Sequence, residues 1–276
     1  MSQCDSNCSS CSSKGTCSSR TDFHEPCNKY SKIKNVISVM SGKGGVGKSL
    51  VTSSLAVALS KKGYKVGVLD ADITGPSIPK VFGINQRAVA TEEGMLPRES
   101  KNGIKIMSVN LLLAEDEAPV IWRGPVIGGA VKQFWTDVVW GELDVLLIDM
   151  PPGTGDVPLT VFQTIPLTGA VVVTSPQDLV SMIVKKSYNM AKKMNVNVFG
   201  VVENMSYIKC PDCDKKLYPF GEGKTATVAE ELGIELLAQL PIIPETASLC
   251  DKGLVEDIDL TYINDVVEKI IPKLNL

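Results

Sequence analysis

Asn35-Val36-Ile37-Ser38-Val39-Met40-Ser41-Gly42-Lys43-Gly44-Gly45-Val46-Gly47-Lys48-Ser49 is the stretch that decides the fold. Its first six residues read as a buried strand, Ser49 to Lys62 has helical spacing, and Tyr64 to Leu69 reads as a second buried strand. Between strand and helix, residues 42–49 fit G-x-x-x-x-G-K-S/T, in the strand–loop–helix setting that separates this motif from a chance glycine-rich turn. Each residue type has a task. Gly42, Gly44, Gly45 and Gly47 let backbone N–H groups, with those of Lys43 and Val46, curl around a phosphate. The helix N-terminus adds partial positive charge, Lys48 reaches the terminal phosphates of a nucleotide, and Ser49 can hold Mg²⁺.

Outward from this loop, the apolar runs Val145 to Ile148, Ala170 to Thr174 and Val198 to Val202 lack polar alternation, as expected for parallel strands covered on both faces. Helical spacing over 123–138, 179–194 and 224–232, a strand over Ile234 to Leu240 and a C-terminal helix near 261–274 complete the pattern. The predicted fold class is α/β, a doubly wound, mostly parallel sheet flanked by helices. Residues 88–108, with Gly94 and Gly103, are expected to form a hairpin inserted in that sheet. Residues 1–32 carry five cysteines among serines with no periodicity and are expected to be a flexible tail, leaving 33–276 as one folded domain.

Two further strands end in acids. Val145-Leu146-Leu147-Ile148-Asp149 has the form in which an apolar strand delivers one carboxylate to a Mg²⁺ shell. It runs into Met150-Pro151-Pro152-Gly153-Thr154-Gly155-Asp156, where Gly153 permits a backbone N–H to approach a γ-phosphate. Val66 to Leu69 leads to Asp70 and Asp72 at the carboxyl end of the sheet, where ligands bind in such folds. Asp70 supports either Mg²⁺ or the shape of its own turn, as a helix N-cap carboxylate would.

Lys43, a second lysine inside the phosphate loop, stands at the signature position of the deviant Walker A motif, so the chain resembles the MinD, ParA and nitrogenase iron protein superfamily, a SIMIBI class of P-loop NTPase. The resemblance implies a sandwich homodimer in which Lys43 reaches the partner's nucleotide, with Lys43, Lys48 and Asp72 serving catalysis. Asp72 would position the attacking water, and Asn204 would contact adenine. Read from the residues alone, the alternatives are a solvated loop lysine at Lys43 and an ordinary turn residue at a strand end for Asn204. ATP is the implied nucleotide and its hydrolysis the implied reaction.

Cys210-Pro211-Asp212-Cys213 follows Glu203-Asn204-Met205-Ser206-Tyr207, a string that resembles the Mrp/ApbC branch, whose members carry iron–sulfur clusters. Two thiolates per chain fall short of the four ligands that a tetrahedral zinc or a four-iron cluster takes. A symmetric dimer supplies four, which agrees with the bridging 4Fe-4S cluster that the resemblance implies. Structural zinc uses the same ligands and stays open beside it; a redox dithiol is disfavoured because Asp214, Lys215, Lys216 and Pro219 follow instead of a helix. In the tail, Cys8, Cys11 and Cys17 repeat the spacing of the N-terminal cluster site of the longer Nbp-type relatives, with Cys4 or Cys27 as fourth ligand. Cys250 is isolated and expected to be buried.

Composition narrows the classes. Of 276 residues, 44% are hydrophobic and 21% charged, which fits a folded soluble chain, and a formal charge of -3 offers no global attraction to nucleic acid or acidic membranes. No apolar stretch reaches the length of a membrane span, and eight cysteines in a chain of this size without an apolar signal core point to metal or redox use in the cytoplasm. The expectation is an ATP-dependent iron–sulfur carrier whose partners are client apoproteins and cluster assembly proteins, with neither nucleic acid nor membrane. A MinD/ParA-type positioning ATPase with structural zinc is the rival. The amphipathic C-terminal segment lacks the basic cluster such a membrane anchor would need.

Overall fold

The computed structural model describes residues 24–73, 75–112, 124–177 and 180–276. In chain order, β1 (Lys32–Met40) leads through the phosphate loop to α1 (Lys48–Lys61) and β2 (Val66–Asp70), then α2 (Ile78–Val81). β3 (Val89–Thr91), β4 (Gly94–Leu96), β5 (Arg98–Glu99) and β6 (Lys105–Ser108) follow, then α3 (Gly124–Thr136), β7 (Glu142–Asp149), α4 (Asp156–Thr164), β8 (Gly169–Thr174) and α5 (Val180–Lys193). The chain closes with β9 (Val198–Lys209), β10 (Lys216–Leu217), α6 (Thr225–Leu232), β11 (Leu236–Pro241), α7 (Pro244–Asp251) and α8 (Thr261–Ile270).

Among the described residues these strands form a nine-stranded sheet. Its parallel body runs β11–β9–β8–β1–β7–β2–β6, with β5 antiparallel to β6 at one edge and β10 antiparallel to the far end of β9. Period-two alternation sorts the strand side chains onto two cores. Ile37, Val39, Val145, Leu147, Val171 and Val173 face the core shared with Val51, Leu55 and Leu59 of α1 and with Ile263, Val266 and Ile270 of α8. Val36, Met40, Leu146, Ile148, Ala170 and Val172 face the other, with Phe134 and Trp135 of α3 and Val161 and Phe162 of α4. Both faces being covered explains why these strands read as unbroken apolar runs. No helix among the described residues is long and apolar enough to cross a membrane.

The doubly wound α/β expectation holds, two local readings are corrected, and one helix had not been read. The single hairpin expected over 88–108 is two pieces: β3 pairs with β4, while β5 pairs with β6, which enters the main sheet parallel to β2. Ile106 and Met107 point into opposite cores, so β6 is an interior strand too short for its pattern to declare it. β9 continues past residue 203 to Lys209, because its far end finds β10 and β11 as partners. The helix α4 opens directly after the glycine-rich stretch 153–155, which hid its start.

Residues 25–31, placed by the sequence in the tail, are tied to the domain. The indole N–H of Trp135 donates to the Glu25 carbonyl at 2.8 Å, Lys132 pairs with the Glu25 carboxylate at 2.7 Å, and the Asn28 amide donates to the Glu93 carbonyl at 3.2 Å. Cys27 is half-buried against the second core, its thiol 3.6 Å from the Ser31 carbonyl and pushed up in pKa by burial. Ligation by Cys27 would require it to leave this packing. Cys4, Cys8, Cys11 and Cys17 lie outside the described residues.

Candidate functional site

The carboxyl ends of β1, β2 and β7 meet at one point, since register places Val39 and Asp70 on either side of Asp149. Asp149 is fully buried there and receives three groups from the loop and helix that β1 feeds. Lys48 Nζ lies 2.8 Å from its Oδ1, the Ser49 hydroxyl donates to Oδ2 at 2.6 Å, and the Thr52 hydroxyl donates to Oδ1 at 2.7 Å. A buried carboxylate needs such partners, because leaving it unpaired costs several kcal/mol. The phosphate-binding lysine and the hydroxyl and carboxylate expected at Mg²⁺ are thereby brought together. Thr52 escaped the sequence reading, because it stands beside Ser53 and Ser54 in the same helix and nothing local sets it apart from them.

The loop's shape follows from its glycines at two positions. Gly47 has φ 76°, and a Cβ there would overlap the Asn204 amide nitrogen, far inside the 3.0 Å that real Cβ atoms keep. That amide donates to the Val46 carbonyl at 3.0 Å, so Asn204, at the interior of β9, buttresses the loop. Gly153 has φ 87° and donates its N–H to the Ser41 carbonyl at 2.8 Å, which docks the glycine-rich segment after β7 on the phosphate loop. Beside Asn204, a largely apolar cavity of about 160 Å³ is lined by Leu50, Val51, Met205, Ile243 and Tyr262.

The remaining acids separate in role. Asp70 is fully buried and accepts N–H bonds from Asp72 (3.1 Å), Ser77 (3.0 Å) and Ile78 (3.1 Å), so it holds the start of α2 and the turn before it. Burial, and then the neighbouring charge of Asp149, push its carboxyl up to about 8. Of the two roles open to Asp70, the turn-shaping one is the one with contacts. Asp72 stands half-buried at the same edge, past the end of β2. Lys43 is exposed and its ammonium is held by the side-chain oxygen of Gln177, in the loop after β8; Gln177 was not singled out in the sequence.

Cys210 and Cys213 sit in the turn joining β9 to β10. The turn closes through Cys210 N–H to the Lys215 carbonyl (3.0 Å) and Asp214 N–H to the Cys210 carbonyl (3.1 Å), with Asp214 left-handed at φ 57°. Backbone N–H groups of Asp212 and Cys213, then the Cys213 side chain, bond the Cys210 sulfur and hold its thiol below the usual range. That is the arrangement in which a sulfur is prepared as a thiolate ligand. Cys213 is exposed, and Cys210 half-exposed. Among the described residues no group of three or more His, Cys, Asp or Glu side chains could hold a metal, so the pair supplies two ligands. Cys250 is half-buried in α7, its thiol raised by burial and next by Asp251.

This geometry agrees with what is found among known proteins. Residues 32–275 match the family described as ParA: NUBPL iron-transfer P-loop NTPase. The chain is 49% identical over 261 residues to an iron-sulfur cluster carrier protein of Methanocaldococcus jannaschii, covering 92% of this chain and 90% of that one. A protein of the same description from Clostridium perfringens is 52% identical over 258 residues, covering 91% and 90%. Among solved structures, a nucleotide-binding protein of Archaeoglobus fulgidus in complex with ADP and with cobalt superimposes with a TM-score of 0.74 at 46% identity, over 82% of this chain and 89% of that one. The chain belongs to the iron-transfer P-loop NTPases, the nucleotide-binding family of iron–sulfur cluster carriers.

Proposed function

We propose that the chain hydrolyses ATP and carries a 4Fe-4S cluster between the Cys210–Cys213 hairpins of two identical subunits, handing it to apoproteins. The observation that carries this reading is the hairpin itself: two surface cysteines in the turn between β9 and β10, and no group of three or more metal-ligating side chains among the described residues. A second copy completes the set of four. Ile208, Leu217, Tyr218 and Phe220 around the hairpin are exposed apolar side chains, a surface suited to burial against that copy. The cluster is cargo, received from assembly proteins and delivered to clients. The name shared by the relatives supports that role.

For the nucleotide, Lys48 and the loop N–H groups would bind the phosphates and Asn204 would border the base. Hard oxygen donors, the Ser49 hydroxyl and the Asp149 carboxylate 2.6 Å apart, fit Mg²⁺. Mg²⁺ when bound supplies charge neutralisation of the phosphates. Asp72 orients the attacking water, Gly153 offers its N–H to the γ-phosphate, and Lys43 exchanges Gln177 for the partner's nucleotide. Cys8, Cys11 and Cys17, with Cys4 or Cys27, form a second cluster site in the tail. The dimer works in the cytoplasm, without membrane or nucleic acid.

Anaerobic reconstitution with iron and sulfide tests the reading. A variant whose tail cysteines are all serine should take up about four iron atoms per dimer, and adding Cys210→Ala and Cys213→Ala should abolish uptake. Iron retained without that pair, or zinc alone in the oxygen-free protein, defeats the bridging site.

A further inference from the structure

β9 joins the two halves of the site: Asn204 touches the phosphate loop, and six residues later Cys210 opens the cysteine turn. The strand is not uniform between them. Pairing with β11 moves from Glu203↔Gln239 to Tyr207↔Pro241, so β9 spends four residues where β11 spends two. The surplus is a bulge in which Met205 is left-handed at φ 57°. Such features re-aim side chains and mark segments with two arrangements within reach.

Directly beneath the bulge is Glu203, fully buried. Its Oε1 accepts from Ser206 (2.7 Å), inside the bulge, and from Gln239 (2.8 Å), on β11. Its Oε2 has no hydrogen-bond partner among the described residues and abuts Gly223, where a Cβ would overlap it and crowd Pro176. Gly223 belongs to the loop that follows β10 and the cysteine turn. Pro176 precedes Gln177, the residue that holds Lys43. One carboxylate thus stands where the phosphate-loop buttress, the loop of the signature lysine and the return of the cysteine hairpin converge.

We propose that Glu203 is a positioning residue that transmits nucleotide occupancy to the cysteine hairpin, through the bulge at Asn204–Ser206 on one side and its contact with Gly223 on the other. Asn204 is the next residue of β9, and Pro176 lies at the same Gly223 that Oε2 meets, so displacing either bears on Glu203 and through it on the 221–225 turn. Gly223 is glycine because this carboxylate fills the space a side chain would take. The proposal rests on the carrier reading for its purpose, though its test needs no iron.

The test is alkylation of Cys210 and Cys213 in the reduced, cluster-free full chain, followed by mass spectrometry of their peptide, without nucleotide and with ADP or a non-hydrolysable ATP analogue. Coupling of ordinary strength should change the wild-type rate by roughly fivefold or more. Glu203→Gln, which replaces one carboxyl oxygen with an amide group, and Gly223→Ala, which presses on that side chain, should each bring that ratio to within about twofold, with nucleotide affinity kept. A purely structural role would lower stability without changing the ratio. The proposal is overturned if wild type shows no nucleotide effect, if a folded variant keeps the full ratio, or if both variants lose nucleotide affinity. Should one variant fail to fold, the other decides.

Discussion

Gly47 and Gly45 make a matched pair for testing how the phosphate loop is held. Both are left-handed, at φ 76° and φ 78°, but a Cβ at Gly45 meets nothing within 4 Å, whereas one at Gly47 overlaps the Asn204 amide. Gly45→Ala should therefore cost only the left-handed penalty of an L-residue, about 1–2 kcal/mol. Gly47→Ala adds expulsion of the Asn204 amide, which strands the Val46 carbonyl and costs about 1–3 kcal/mol more. A central difference of about 2 kcal/mol corresponds to roughly 4–8 °C in Tm for a domain of this size. Urea and thermal unfolding of the reduced, nucleotide-free protein measure it. In an Asn204→Ala background the overlap is gone, so Gly47→Ala should there cost about 1–2 kcal/mol, the same as Gly45→Ala. Equal costs for the two alanines in the wild-type background, or strict additivity of Gly47→Ala with Asn204→Ala, would refute the buttress.

Asp70 and the cysteines give two further predictions. Asp70 ionises well above its unfolded value of 3.8, near 8, so the native state holds an extra proton through that interval and stability falls as pH rises across it. Asp70→Asn, neutral throughout, should flatten the fall by at most about 1.4 kcal/mol per pH unit, seen by urea unfolding between about pH 5 and about pH 7; an unchanged slope sinks the assignment. Among the described cysteines, Cys210 should alkylate first near neutral pH, ahead of Cys27 and Cys250, whose thiols burial raises. Peptide mapping after brief iodoacetamide exposure reads the order, and equal rates at Cys250 would contradict it.

Several elements were legible because their signal is local. The phosphate loop needs glycine, lysine and hydroxyl at fixed offsets, and Asp149 ends an apolar strand, so both could be named from spacing. The helices over 180–193 and 225–232 were read within a residue or two of their ends, since apolar spacing repeats over several turns. By contrast β6 has four residues, too few for any period, and Thr52 and Gln177 take their roles from partners distant in sequence, Asp149 and Lys43.

The chain's own order of residues determined the doubly wound class, the phosphate cradle and the pairing of two cysteines by a two-residue spacer, because each is encoded within one segment. Only the tertiary structure decided that Asp70 shapes a turn, that Asn204 braces Gly47 from the middle of a strand, and that Glu203 lies buried against Gly223 with one oxygen that has no hydrogen-bond partner among the described residues. Those facts depend on which strands become neighbours and in what register, and register is set by the summed burial of both sheet faces, a quantity no single segment contains.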